Sequence, residues 1–374
     1  MDKTNEKSEL RKLRFESLKR NFNLFKQSKI GMLGLVIVLI FGLLALLQPL
    51  LFLTNIWDEA TYHPVVGYDS QKILATVVSC KNIDYPTPEY KTPSDCPAAD
   101  EVNIVAVAPY NPGIKEGDVI EQFIQPAPPS GKHILGTDSL GRDVFSQLME
   151  GSQVAFVLGL LSAIVGVGIS TLLGTIAAYF GGKIDAYLMR QSDLVLMLPT
   201  LPLLFIISAF AELKVWHLAL VLGIFGGLGG SVITIKSQAL QVKVKPFVDS
   251  ARITGGSRMK ILTSHILPNV APLALLFMVF SVTGAIASES ILSFLGLLNI
   301  DMSWGLMISV AQADGYINQG MEYWWLVIPA GLAVTLLAGG FYLVGRGLDD
   351  VFNPRLRRRS VSYTHLRAHE TRNY

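Results

Sequence analysis

Charge is scarce in this 374-residue chain: Asp, Glu, Lys and Arg together make up 16% of it, against about a quarter in soluble domains. The shortage is uneven, with charges crowded into a few segments and long stretches left nearly bare, which points to lipid as the solvent. A formal net charge of +2 gives no case for nucleic acid as a partner. Cysteine is limited to Cys80 and Cys96, too few for a disulfide framework. A GxxxxGK[ST] phosphate loop is missing; the nearest match, Gly131-Lys132-His133, lacks the first glycine and the hydroxyl residue. No metal-ligand cluster, nucleophile elbow or paired-carboxylate motif stands out, so no catalytic or metal site is expected. If the protein does energy-driven work, the nucleotide must bind to a partner.

What remains is mostly hydrophobic, 51% of the chain. A helix crossing the roughly 30 Å hydrocarbon core needs about 20 mostly apolar residues, because its backbone hydrogen bonds must close internally. Six segments qualify, at about 30–53, 154–180, 194–211, 216–235, 270–298 and 324–344. The expected fold is therefore an all-α membrane protein with six transmembrane helices. Pro199 and Pro202 should kink the third span. Gly226, Gly227, Gly229 and Gly230 soften the fourth and permit close helix approach. Residues 1–29 are polar and basic, and the apolar run after them is too long for a signal peptide, so it reads as a retained anchor.

Basic residues mark the cytoplasmic side of a membrane. Residues 1–29 hold nine Lys and Arg, the 236–268 loop six against Asp249 alone, and 346–359 five. Residues 54–150 hold six basic and fourteen acidic side chains, and 299–323 no Lys or Arg. Both termini and the 236–268 loop are thus expected in the cytoplasm, with 54–134 outside. That external loop is too long to be structureless. Runs at 76–79, 104–107 and 119–124 rich in β-branched and apolar residues suggest a small β-containing insert. Cys80 and Cys96 lie within it; a bridge between them would stabilise it by roughly 3 kcal/mol in the chain-entropy model, and two free thiols is the competing reading. Residues 135–359 make up the core with five of the spans. Residues 360–374 break the pattern and resemble a translated sequencing adapter, so they are read as a non-native tail.

The most informative segment is 247–269, a short helix broken by Gly255 and Gly256, then a second helical stretch ending at Pro268. It resembles the E-A-A-x3-G-x9-I-x-L-P pattern of ABC importer permeases, whose helix docks in a groove of the ATPase. Asp249, Ser250, Ala251, Gly255, His265, Leu267 and Pro268 fall at those positions, with Asp for Glu, Ser for the first Ala and His for Ile; Arg252 and Gly256 lie within the same element. An interfacial amphipathic helix without a partner is the plainer alternative. Leu135-Gly-Thr-Asp-Ser-Leu-Gly-Arg-Asp143 is similar to the LGTDxxGRD signature of the C-type subunit of the dipeptide/oligopeptide (and nickel) ABC importer family, carried here by Gly136, Thr137, Asp138, Gly141, Arg142 and Asp143. Residues 288–296 with Ser303-Trp304-Gly305 resemble that family's ExxLSFLG…SWG stretch, and 324–355 its last span and tail. The resemblance covers about 15–53 and 108–357.

It implies a type I permease fold in the cytoplasmic (inner) membrane and a role in importing di- or oligopeptides. Its implied partners are a second homologous permease in a heterodimer, two cytoplasmic ATPases that carry the ATP and Mg, and an external substrate-binding protein. Nickel or another small solute is the alternative cargo. A membrane-embedded enzyme or sensor is the alternative from another class, and it would need convergent catalytic side chains that are not found. Two features depart from the family: Ala108-Pro-Tyr-Asn-Pro112 follows the first span only after an insertion at 54–107, and prolines before Ser303-Trp-Gly are missing from 299–302. Glu289 sits in an apolar span, where a carboxylate costs about 2.5–3.5 kcal/mol. With Ser290 and Ser293 it is a candidate for the translocation path, and a hydrogen-bonded structural contact is the equal alternative.

Overall fold

The computed structural model describes residues 16, 19–69, 71–78, 104–106 and 119–352. Among the described residues four helices are long and apolar enough to cross a membrane: α1 (Lys29–Leu53), α3 (Val144–Phe180), α9 (Arg258–Phe294) and α11 (Trp324–Phe352). Two further spans are bent pairs, α4 (Gly182–Met197) with α5 (Thr200–Phe210) and α6 (Val215–Leu228) with α7 (Gly230–Lys243), which brings the count to 6. Between α1 and α3 lies the one-turn helix α2 (Glu59–Tyr62). α8 (Pro246–Ile253) connects α7 to α9, and α10 (Trp304–Ala313) lies between α9 and α11.

The third span departs from expectation. Instead of a kink, α4 and α5 meet at 82°. Leu198 and Pro199 are both extended, because Pro199 disfavours helical φ/ψ at the residue before it. The fourth span bends by 46° at Gly229. Its glycines also meet the requirement for close approach: a Cβ on Gly227 would lie 2.5 Å from the Gly166 carbonyl of α3. α3 starts ten residues before the expected span, since Ser146, Gln147 and Ser152 are buried in protein rather than lipid. α9 starts at Arg258, twelve residues early. It absorbs Pro268 through a π-turn at Leu262–Ile266, in which the Leu267 N–H reaches the Leu262 carbonyl.

The 299–323 connection is more than a loop. α10 is too short to span, so a 20-residue apolar window misses it, yet Trp304, Met307 and Ala311 are buried at helical spacing on one face. Trp304 is fully buried, packs edge-on to Phe41 with ring centroids 5.5 Å apart, and donates its indole N–H to the Leu148 carbonyl at 2.9 Å. It belongs to the largest core cluster, with Val144, Ile286, Trp325 and Leu337.

The insert carries a three-stranded sheet of order β2-β1-β3, formed by β1 (Gln71–Val78), β2 (Ile104–Ala106) and β3 (Val119–Ile124). β1 pairs parallel with β2 and antiparallel with β3. The expected β-rich runs are these three strands, with β1 starting earlier. Cys80, Cys96, Ala108–Pro112 and 360–374 lie outside the described residues.

Candidate functional site

At one end of the bundle α8 has one fully buried side chain. Pro246 opens it at N1, where a fixed φ and a missing N–H cost nothing, and Val248 is fully buried. Apart from the half-buried Ala251, the rest of the helix is uncovered. Ile253 is 86% exposed, and Phe247, Val244 and Met259 beside it are also exposed. Asp249 pairs with Arg252 at 3.0 Å in solvent, an arrangement that contributes little stability. Ser250 donates back to the Pro246 carbonyl at 3.0 Å.

The helix closes with a Schellman motif. The Gly256 N–H bonds the Ala251 carbonyl and the Gly255 N–H bonds the Arg252 carbonyl. Gly255 takes φ +81°, a left-handed conformation that glycine adopts without strain. Ser257 then caps the next helix by accepting from the Lys260 N–H at 3.3 Å. The residues Asp249 to Gly256 therefore form one exposed element. His265, Leu267 and Pro268 lie at its root on α9, where the His265 ring packs 6.3 Å from Phe247 and its carbonyl accepts from Asn269 at 2.7 Å.

The other end holds the 135–143 signature, which is a clamp. Asp138 accepts from the backbone N–H of Leu140 and Arg142, from the Arg142 guanidinium at 2.6 Å and from Gln147 at 2.7 Å. Asp143 does not join that pair. It caps α3 by accepting from the Ser146 N–H at 2.6 Å, and its other oxygen lies 2.7 Å from His133 Nδ1. Thr137 accepts from the Ala127 N–H through its hydroxyl and from the Trp325 indole through its carbonyl. Gly136 and Gly141 take positive φ, and the Gly141 carbonyl accepts from the Asp69 N–H at 2.9 Å.

His133, which the motif pattern missed, is fully buried between two carboxylates, with Asp69 2.9 Å from Nε2. The hydrogen bond to Asp143 raises its pKa most; burial opposes this, and Asp69 adds to it. For Asp69 burial works upward, but Lys132, 2.6 Å away, and His133 hold its carboxyl below the usual range. The Lys132-His133 pair that fails as a phosphate loop thus holds the entry to the insert.

Glu289 is 1% exposed and accepts the hydroxyls of Ser293 at 2.6 Å and Ser290 at 3.3 Å. Its geometry is that of the hydrogen-bonded contact, away from open space. A cavity of about 410 Å3 lies elsewhere. It is bounded by Ser162 of α3, Leu198 and Thr200 at the α4/α5 break, Gly229 at the α6/α7 break, and Ser281 and Ser288 of α9, with no charged side chain in its wall among the described residues. Irregular backbone at membrane depth is tolerated only where protein buries it or a cavity adjoins it. Among the described residues no group of three or more His, Cys, Asp or Glu is placed to hold a metal.

Residues 170–358 match the family described as binding-protein-dependent transport system inner membrane component. The dipeptide transport system permease protein DppC of Bacillus subtilis is 30% identical over 260 residues, which cover 68% of this chain and 79% of that protein. The oligopeptide transport system permease protein OppC of Mycobacterium tuberculosis is 33% identical over 234 residues, 62% of this chain and 78% of that one. Its counterpart in Haemophilus influenzae is 32% identical over 255 residues, 67% and 80%. The bent and straight spans, the matched core and these relatives agree: the chain belongs to the binding-protein-dependent transport family as a multi-pass inner-membrane permease of an ABC transporter, a transport subunit and not an enzyme, which works with ATPase and binding-protein partners.

Proposed function

We propose that this chain is one of two homologous permeases in a heterodimeric importer of di- or oligopeptides, with α8 as the docking element for a cytoplasmic ATPase. The observation that carries the docking reading is α8 itself, a short helix closed at both ends and held by Val248, with Ile253 and Phe247 uncovered. Exposed apolar side chains on a rigid stub fit a partner groove better than they fit water. ATP and Mg belong to two ATPase subunits, and cargo arrives from an external binding protein. α8 and both termini face the cytoplasm, in line with their Lys and Arg, and the sheet faces outward.

Closure of the ATPases on ATP displaces α8 and turns the bundle from inward- to outward-facing. The neutral cavity at the two helix breaks, rather than Glu289, Ser290 and Ser293, is then the wall that cargo passes. Peptide as cargo is supported by the relatives' names, and nickel is the competing solute. Uptake by the assembled complex of trialanine and of nickel tests this: nickel transport without peptide transport would overturn the peptide reading. Ile253→Asp should abolish co-purification of the ATPase while the permease still inserts. Retention of the ATPase would overturn the docking role.

A further inference from the structure

The corner between α3 and α4 is fastened to the α7–α8 segment at three points. Lys243, in the last turn of α7, donates Nζ to the Ala178 carbonyl at 2.8 Å, one of the carbonyls that a helix end leaves without a backbone partner. The Arg252 guanidinium of α8 lies 5.9 Å from the Tyr179 ring centre. Lys236 of α7 pairs with Asp185, in the first turn of α4, at 2.5 Å, and both are mostly withdrawn from solvent. Gly181 and Gly182, both at positive φ, make the turn between α3 and α4.

Beyond this corner α4 runs to the cavity. Ser192 donates to the carbonyls of Leu228 and Gly229 at 2.6 and 3.0 Å, satisfying the backbone freed where α6 breaks into α7. Three residues later Val195, then Leu196 and Leu198, enter the cavity wall, and the chain breaks by 82° into α5. α4 is thus a single piece with its start tied through Asp185 to Lys236 of α7, the helix that leads into α8, and its end in the wall. The ion pair links α4 to the helix that carries α8, and the break at its far end separates it from α5, an arrangement suited to a rigid-body shift.

We propose that Asp185 and Lys236 are positioning residues that carry the displacement of α8 into the cavity wall through α4. The inference rests on the docking role of α8. It predicts that the ion pair governs how much cargo moves per ATP, not whether the ATPase binds. Neither residue lies in the 249–268 pattern or in the cavity wall, so loss of docking or of cargo contact does not account for an effect.

The test uses the whole complex in proteoliposomes with its second permease, two ATPases and binding protein, measuring trialanine uptake and ATP hydrolysis together. Asp185→Lys and Lys236→Asp should each lower uptake per ATP about tenfold with ATPase subunits still bound, and the double exchange should restore most of it, since the coupling between contacting residues shows as non-additivity. Where the reversed charges reduce membrane abundance, Asp185→Asn, which keeps the shape, replaces them in the test and should lower the same ratio. Single variants with the wild-type ratio, a double exchange that restores nothing, or single variants that lose the ATPase would each overturn the proposal. Ile253→Asp in the same preparation keeps the two readings apart: if it retains the ATPase, the docking role falls and the coupling role with it, whereas loss of the ATPase there beside a failed exchange overturns the coupling role alone.

Discussion

His133 illustrates what a single buried side chain controls here. Each ring nitrogen faces a carboxylate oxygen, at 2.7 and 2.9 Å, and both nitrogens donate only in the imidazolium. Its pKa is raised, so the stabilisation is complete below the ordinary histidine value of about 6.5 and is lost as pH climbs through the raised one. Asp69, with its pKa lowered, limits the clamp only at the acid end, where protonation removes it. Melting of the purified permease should therefore fall as pH rises from neutral to alkaline, and His133→Gln should flatten that slope. His133→Ala, which takes the shared cation from the buried Asp143 and from Asp69, should cost about 3–5 kcal/mol. A pH-independent melting curve in the parent protein would refute this account. The sequence did not reveal His133, because its partners lie 10 and 64 residues away. Asp138 and Asp143 were visible through the motif, yet their division of labour, one neutralising Arg142 and one capping α3, required coordinates. Gly255 was legible as a helix stop from its neighbour Gly256 alone. At φ +81° it has no room for proline, whose ring fixes φ near −65°, so Gly255→Pro should abolish peptide uptake with membrane insertion unchanged.

Among the elements, long apolar helices were read from hydropathy and their extensions were not. α3 reaches back to Val144 because its polar first turns are covered by protein, and hydropathy registers the residue type rather than what surrounds it. α10 is hidden for a related reason: its buried residues are four, Trp304, Gly305, Met307 and Ala311, too few to register in a membrane-length window. The 82° break was underestimated as a kink because a proline signals only that the helix is interrupted, while neighbouring elements set the angle. Trp304 offers a measurable consequence. Trp304→Phe keeps the ring against Phe41 and removes the bond to Leu148, which should cost about 1 kcal/mol. Trp304→Ala empties the site and should cost about 3–5 kcal/mol. Thermal unfolding in detergent checks the ordering, and equal losses would show that packing contributes little there.

For the molecule as a whole, the span count and the β-containing insert were legible because lipid imposes one rule on every crossing segment. The sidedness drawn from Lys and Arg has its own check. With Cys80 and Cys96 replaced by serine, Ile253→Cys should react with a membrane-impermeant thiol reagent only in inside-out vesicles. Val66→Cys, 74% exposed near the sheet, should react only in intact cells. Reaction of both from one side would invert or dissolve the assigned orientation.

The attachment of the sheet has a practical corollary. Asp69 is pinned by Gly141, Lys132 and His133 immediately before β1, and Ala127 is pinned by Thr137 shortly after β3. The excursion between them is therefore spliced into a frame whose two seams hold without it. A chain in which a short Gly/Ser bridge replaces 71–124, the family-like Ala108–Pro112 stretch included, should still assemble its helices and melt near the parent temperature, because both seams lie in the frame that remains.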